Sequence, residues 1–120
     1  MYNFNRLEVY KRADAFSDAV HKVTMAFPKF ELYALGDQMR RAANSIVSNI
    51  AEGGGKNTDR EVSLFLRHAI GSANELEAQI GRAWKLRYFD DVEEELSREI
   101  VEIRKMLIGF NRRFGKIFKD

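Results

Sequence analysis

The sequence predicts an all-α protein, an antiparallel up-down-up-down four-helix bundle, and three observations predict it. Apolar residues recur at helical spacing in four separate stretches, and no run alternates apolar with polar residues for long enough to make a strand. The stretches are separated by the one proline, Pro28, by Gly53-Gly54-Gly55, and by Tyr88-Phe89-Asp90-Asp91. The connections are short, which favours antiparallel neighbours.

The first helix is expected over about 5–26, with the stripe Leu7, Tyr10, Ala13, Phe16, Val20, Val23 and Phe27. Pro28 ends it, because a proline disfavours helical geometry in the residue before it. The aromatic linker Phe27, Phe30 and Tyr33 is expected to pack over the end of the bundle. The second helix, about 35–52, carries Leu35, Met39, Ala42, Ala43, Ile46 and Ile50. The triple glycine is expected to stop it by supplying a left-handed cap. The third, about 59–87, opens on Thr58-Asp59-Arg60-Glu61, a capping box. Its stripe is Val62, Phe65, Leu66, Ala69, Ala73, Leu76, Ile80 and Ala83. The fourth, about 91–118, has an aspartate of the preceding turn as its expected N-cap. Its Leu96, Ile100, Ile103, Leu107, Phe110, Phe114 and Ile117 alternate by four and three, a coiled-coil-like seam.

A chain of 120 residues fits one domain, 1–120, and can bury a sizeable core. Cysteine is absent, which excludes disulfides, thiolate metal sites and cysteine nucleophiles and fits a reducing cytoplasm. No apolar run is long enough for a signal peptide or a membrane span, so no membrane partner is expected. The formal charge is only +2, but its distribution is uneven. Residues 90–102 hold seven acids and one base, and residues 104–119 hold six bases and no acid. Within one helix that order complements the macrodipole; a basic, nucleic-acid-binding end is the competing reading.

Catalytic and cofactor chemistry find little support. No Glu-x-x-His pair of the kind that builds di-metal bundles occurs, and His21 and His68 lie far apart, so neither metal nor cofactor is expected. Gly53-Gly54-Gly55-Lys56 lacks the phosphate-loop spacing and follows a helix, so it reads as a connector. Ser72 lies between His68 and Glu75, but groups on one helical face point outward side by side instead of converging on a substrate. The chain is therefore expected not to be an enzyme.

Binding surfaces find more. Gln38, Arg41, Ser45, Asn49 and Glu52 form one polar face beside the apolar stripe of the second helix. Ser72 and Glu75 answer it on the third, where Gly71, Ala78 and Gly81 permit close backbone approach. A half-buried polar face needs partners, and these seven polar residues are read as an oligomer interface, with a ligand groove as the lesser alternative. Arg40, Lys56, Arg60, Arg67, Arg82, Lys85, Arg87, Arg112 and Arg113 are the candidate contacts to nucleic-acid phosphates, near Trp84, Tyr88 and Phe89. Interleaved acids make a plain solvated surface the rival reading.

These residues also carry a resemblance. Phe4, Leu7, Val9-Tyr10 and Ala13 are followed by Phe27-Pro28, Glu31, Tyr33 and Leu35. Then come Gln38-Met39-Arg40-Arg41-Ala42-Ala43, Ser45-Ile46 and Asn49-Ile50-Ala51-Glu52-Gly53, and finally Phe65-Leu66, Ala69, Gly71-Ser72 and Glu75-Leu76. The pattern resembles the four-helix bundle family encoded by intervening sequences in bacterial 23S ribosomal RNA genes. That family includes accessory variability determinants of diversity-generating retroelements. The resemblance spans almost the whole chain and is most specific from Gln38 to Gly53. It implies a barrel-like homopentamer, a positively charged surface suited to RNA or DNA, a reverse transcriptase as partner in the retroelement relatives, and no enzymatic activity.

Overall fold

The computed structural model describes residues 7–89 and 91–115. Four long helices, α1 (Glu8–Thr24), α3 (Leu35–Gly54), α4 (Asp59–Lys85) and α5 (Glu93–Gly115), and one short turn of helix, α2 (Lys29–Leu32), account for the regular structure, with no strand among the described residues. The long helices form the antiparallel bundle, 46 × 22 × 21 Å. The long axis matches α4, whose 27 residues span about 40 Å at 1.5 Å per residue. α4 packs between α3 and α5; α1 packs on α3 and only sparsely on α5, with α4 across the diagonal. One end of the bundle holds the end of α1, α2, the start of α3, the end of α4 and the start of α5. The opposite end holds the start of α1, the Gly54–Asp59 loop and the end of α5.

The predicted stripes become the core. Met39, Ile46 and Ile50 of α3, Leu66, Leu76 and Ile80 of α4, and Ile100, Ile103 and Leu107 of α5 are essentially inaccessible. Burial of this apolar surface is the main force holding the helices together. Thr58 caps α4, its Oγ1 accepting from the Glu61 N–H at 3.2 Å while its hydroxyl donates to Glu61 Oε1 at 2.9 Å. Residues 5, 6 and 116–118, assigned to helices from the sequence, and Ile117 lie outside the described residues, as does Asp90.

The helix ends differ from expectation in four places. α3 continues through Gly53 and Gly54, both buried, and closes at Gly55 with φ −88°, not with a left-handed glycine. Gly55 and Lys56 N–H groups reach back only three residues, to Glu52 and Gly53 carbonyls, and this tightened turn satisfies them without a left-handed residue. The left-handed cap lies instead at Arg87, φ 63°. Tyr88 N–H donates to Ala83 O at 3.0 Å and Arg87 N–H to Trp84 O at 2.9 Å, the Schellman pair of bonds, which stops α4 at Lys85. α5 starts at Glu93, with Val92 as its first acceptor carbonyl and no aspartate in the capping place, since Leu96 N–H reaches Val92 O. Finally, of the linker aromatics only Phe27 packs down. Pro28 starts the α2 turn, which leaves Phe30 75% and Tyr33 79% exposed.

Each contact between neighbouring helices carries a polar clasp. Ser17 donates to Asn44 Oδ1 at 2.8 Å between α1 and α3. Ser45 and Ser72 hydroxyls meet at 2.8 Å between α3 and α4. Ser63 donates to Asn111 Oδ1 at 2.7 Å between α4 and α5, where Arg104 also bridges to Asn74 and Glu77. Arg12 forks onto the Glu99 carboxylate at 3.0 and 2.5 Å between α1 and α5. A half-buried hydroxyl or charge has few alternative partners, so such pairs disfavour sliding of one helix past another.

Candidate nucleic-acid interface

Every helix is formally neutral. Acids and bases balance at three each in α1 (Glu8, Asp14, Asp18; Lys11, Arg12, Lys22) and at two each in α3 (Asp37, Glu52; Arg40, Arg41). They balance at four each in α4 (Asp59, Glu61, Glu75, Glu77; Arg60, Arg67, Arg82, Lys85). In α5 there are five of each, with Glu93, Glu94, Glu95, Glu99 and Glu102 toward its start and Arg104, Lys105, Arg112 and Arg113 toward its end. A basic surface therefore arises only where the fold separates the signs.

At the end away from α2 four bases gather beside the acids Glu8, Glu52, Asp59 and Glu61, and residues 103–115 of α5 bring four bases with no acid. The Ser63–Asn111 bond holds the beginning of α4 beside the end of α5, which brings Arg60 to the same end as Arg112 and Arg113, all three exposed. Lys56 joins them from the Gly54–Asp59 loop, its ammonium 5.0 Å above the Phe65 ring and 3.5 Å from Glu52. The Arg113 guanidinium lies 5.5 Å from the Phe110 ring centre. Lys56 is half-buried and shared with Glu52, whereas Arg113 is exposed. The amides at the start of α4 add the positive end of a helix dipole.

The other five candidates lie elsewhere. Arg67 is two turns into α4, its Nε 3.4 Å from Ser63 O. Arg82 is 15 residues farther on, about 22 Å along the axis. Arg82, Lys85 and Arg87 are exposed at the α2 end, with the Arg87 guanidinium 5.5 Å from the Trp84 ring centre. Arg40 is part of the framework. Its Nη1 donates to Thr24 Oγ1 at 2.9 Å and its Nη2 to Leu32 O at 2.8 Å, tying α1, α2 and α3 together. Gly36 makes room for it, since a Cβ there would lie 3.2 Å from Arg40 Nη1 and from Glu31 O. The sequence signal for this role was Thr24, a threonine four residues after Val20 on an otherwise apolar face.

Of the polar stripe of α3, Ser45 and Asn49 lie half-buried at the α3–α4 contact and are hydrogen-bonded within the chain. Asn49 Nδ2 donates to Ser45 O and Oγ at 2.8 and 3.0 Å, extending the Ser45–Ser72 bond. Glu75 accepts from Gln79 Nε2 at 3.2 Å, Arg41 pairs with Asp37 at 3.0 Å, Glu52 pairs with Lys56, and Gln38 is exposed. The close approach expected at Gly71 and Gly81 is not made within one chain, because a Cβ at either would meet nothing within 4 Å.

Among the described residues, Arg12 and Tyr88 have displaced pKa values. Donation to Glu99, opposed by burial and reinforced by the charges of Glu99, Glu102 and Glu8, raises the Arg12 pKa. Donation to Glu31 at 2.8 Å, with burial and the Glu31 charge, pushes the Tyr88 phenol above its usual pKa, and Arg82 partly opposes this. Among the described residues no group of three His, Asp or Glu could hold a metal ion, and no helix is long and apolar enough to cross a membrane.

The family model described as 23S rRNA-intervening sequence protein matches residues 5–109. A crystal structure of a protein of unknown function from the S23 ribosomal protein family of Bacteroides thetaiotaomicron VPI-5482 superposes with a TM-score of 0.78. It is 22% identical and the match covers 87% of this chain and 95% of that one, a likeness of fold. No curated protein matches.

Proposed function

The chain belongs to the 23S rRNA-intervening sequence protein family, and from that premise and the charge map we propose a non-enzymatic accessory protein that self-associates and binds RNA or DNA phosphates. The binding end is the one bearing Lys56, Arg60, Arg112 and Arg113, and the acid-free stretch 103–115 of α5, which places exposed Arg112 and Arg113 there, is the observation that carries the reading. A non-catalytic role is supported by the engagement of Ser72 with Ser45 and by His68, exposed and edge-on to Phe65. The absence of thiols accords with work in the cytoplasm.

Anisotropy of a labelled RNA hairpin titrated at several salt concentrations tests the reading. Four phosphate contacts give a slope of log affinity against log salt of about −3 to −4. No binding at low salt, or a slope near zero, rejects it. A second reading, an adaptor for a protein such as a reverse transcriptase, is favoured by the exposed Phe30, Tyr33 and Trp84 at the opposite end. It predicts capture of the polypeptide with no RNA shift.

A further inference from the structure

We propose that Glu52 is a built-in competitor of nucleic-acid phosphate at the binding end: its carboxylate holds the Lys56 ammonium in the free protein and yields it when a phosphate arrives. The proposal rests on the nucleic-acid reading given above and names a residue that sets the affinity of that site. The local backbone creates the pair. α3 runs on through Gly53 and Gly54, and the Gly55 and Lys56 N–H groups close the turn on the Glu52 and Gly53 carbonyls. Lys56 is thereby carried round one helical turn to Glu52, its Nζ 3.5 Å from Oε2. A chain that left the helix at Gly53 would carry the lysine away from it.

The contact is built to be exchanged. At 3.5 Å it is longer than the roughly 2.7–2.9 Å of a charge-assisted hydrogen bond. The Glu52 side chain is 60% exposed and that of Lys56 30%. A pair so open to water contributes little, and a phosphate, with the charge of a carboxylate and oxygens of its own, can take the place of Glu52. The ammonium also lies 5.0 Å from the Phe65 ring centre, an attraction that does not depend on which anion it meets. The ring keeps the lysine in place through the exchange, so its side chain is ordered before the phosphate binds.

The other acids of this end are placed differently. Glu61 is engaged by the Thr58 hydroxyl in the capping box, Asp59 stands in the first turn of α4, and Glu8 opens α1. All three sit where a helix dipole favours an acid. Glu52 sits in the last turn of α3, which carries no base, and there the dipole opposes a carboxylate. An acid at that position costs the helix stability, and holding Lys56 gives it a role. Each binding event then breaks one weak pair and leaves Glu52 beside the strand it repels. Both effects lower the affinity without changing the number of phosphates contacted.

Anisotropy of the labelled RNA hairpin with the full chain tests the proposal in a cycle of Glu52→Gln, Lys56→Gln and the double variant. Glu52→Gln is expected to tighten binding about 3-fold at low salt, through the lost pair and the lost repulsion together. Its salt slope stays that of the wild type, because the bound state uses Lys56 in both. Lys56→Gln is expected to flatten the slope by about 0.7–0.9. In the Lys56→Gln background, Glu52→Gln gains less than about 1.5-fold, since no pair is left to break. An equal gain in both backgrounds reflects repulsion alone and overturns the proposal; so does a Lys56→Gln slope equal to that of the wild type. Helical circular dichroism and light-scattering mass are expected to be unchanged by Glu52→Gln, and an altered mass, which would place Glu52 in a contact between copies, also overturns it. A wild type that binds no RNA at low salt overturns this proposal and the nucleic-acid reading together. A wild type that binds with a steep salt slope and is indifferent to Glu52→Gln overturns the proposal alone.

Discussion

Arg40 separates a framework role from a binding role more sharply than any other residue. Its guanidinium makes two charge-assisted bonds, to Thr24 Oγ1 and to Leu32 O, and Thr24 is fully buried. Arg40→Ala removes both. The Thr24 hydroxyl still donates to His21 O at 3.0 Å, so the unsatisfied loss falls mainly on the Leu32 carbonyl and on the lost charge-assisted donors. Hydrogen bonds to charged groups are worth about 1.5–3 kcal/mol each, and partial solvent access places the sum at the low end, about 3 kcal/mol. At about 2.1 cal/mol/K per residue, a chain of this length has an unfolding entropy that turns 3 kcal/mol into a Tm loss of about 12 °C. Arg40→Lys keeps the charge but cannot fork to both acceptors and is expected to lose roughly half as much. Differential scanning calorimetry gives the Tm, and anisotropy on the RNA hairpin gives the affinity. A fall of less than about 1 °C together with loss of RNA binding refutes the framework assignment.

Three further outcomes follow from the same geometry. Ser72→Ala lowers stability by about 1 kcal/mol and Ser45→Ala by somewhat more, since it also removes the Asn49 Nδ2 bond to Ser45 Oγ; the double variant costs less than the sum, because the Ser45–Ser72 bond is lost in both, and additive losses in denaturant titrations would place the two hydroxyls apart. Tyr88 is expected to ionise above the usual tyrosine range, seen as the last step lost from the near-ultraviolet titration when Tyr88→Phe is made. Because its folded pKa is raised, the stabilising contribution of the Tyr88–Glu31 bond is fully present below the ordinary tyrosine pKa and is lost as pH climbs through the raised value; Glu31→Gln brings the ionisation back down. Gly109→Ala, where a Cβ meets nothing within 4 Å in the middle of α5, is expected to add about 1 kcal/mol, near 4 °C in Tm; a loss would mean that something approaches that face.

The bundle was legible because burial follows the helical period. Leu96, Ile100, Ile103, Leu107 and Phe114, all assigned to the α5 seam, are buried, with Phe110 half-buried beside them. The ends of helices were less legible, because caps depend on single residues in unusual conformations. Glycine is the usual marker of a left-handed cap, yet the three glycines after Ile50 needed none and Arg87 adopted it. The α2 turn is too short to show a period. The separation of charge within α5 could be read directly, but grouping its basic end with Lys56 and Arg60 required knowing how α4 and α5 pair. Arg40 looked like a surface cation because its partners lie 8 and 16 residues away. The polar face of α3 and its answer from Ser72 on α4 were both legible, because each follows the helical period, and the Ser45–Ser72 bond joins them.

The most direct test of the central claim compares two triple charge reversals on the labelled RNA hairpin across salt concentrations. One is Arg60→Glu, Arg112→Glu and Arg113→Glu; the other, at the opposite end, is Lys29→Glu, Lys85→Glu and Arg87→Glu. The expected result is that only the first flattens the salt dependence, by about three units of slope, and abolishes binding at physiological salt. Equal losses from the two sets, or a loss confined to the second, would contradict a binding surface at the end of the bundle formed by the start of α4 and the end of α5.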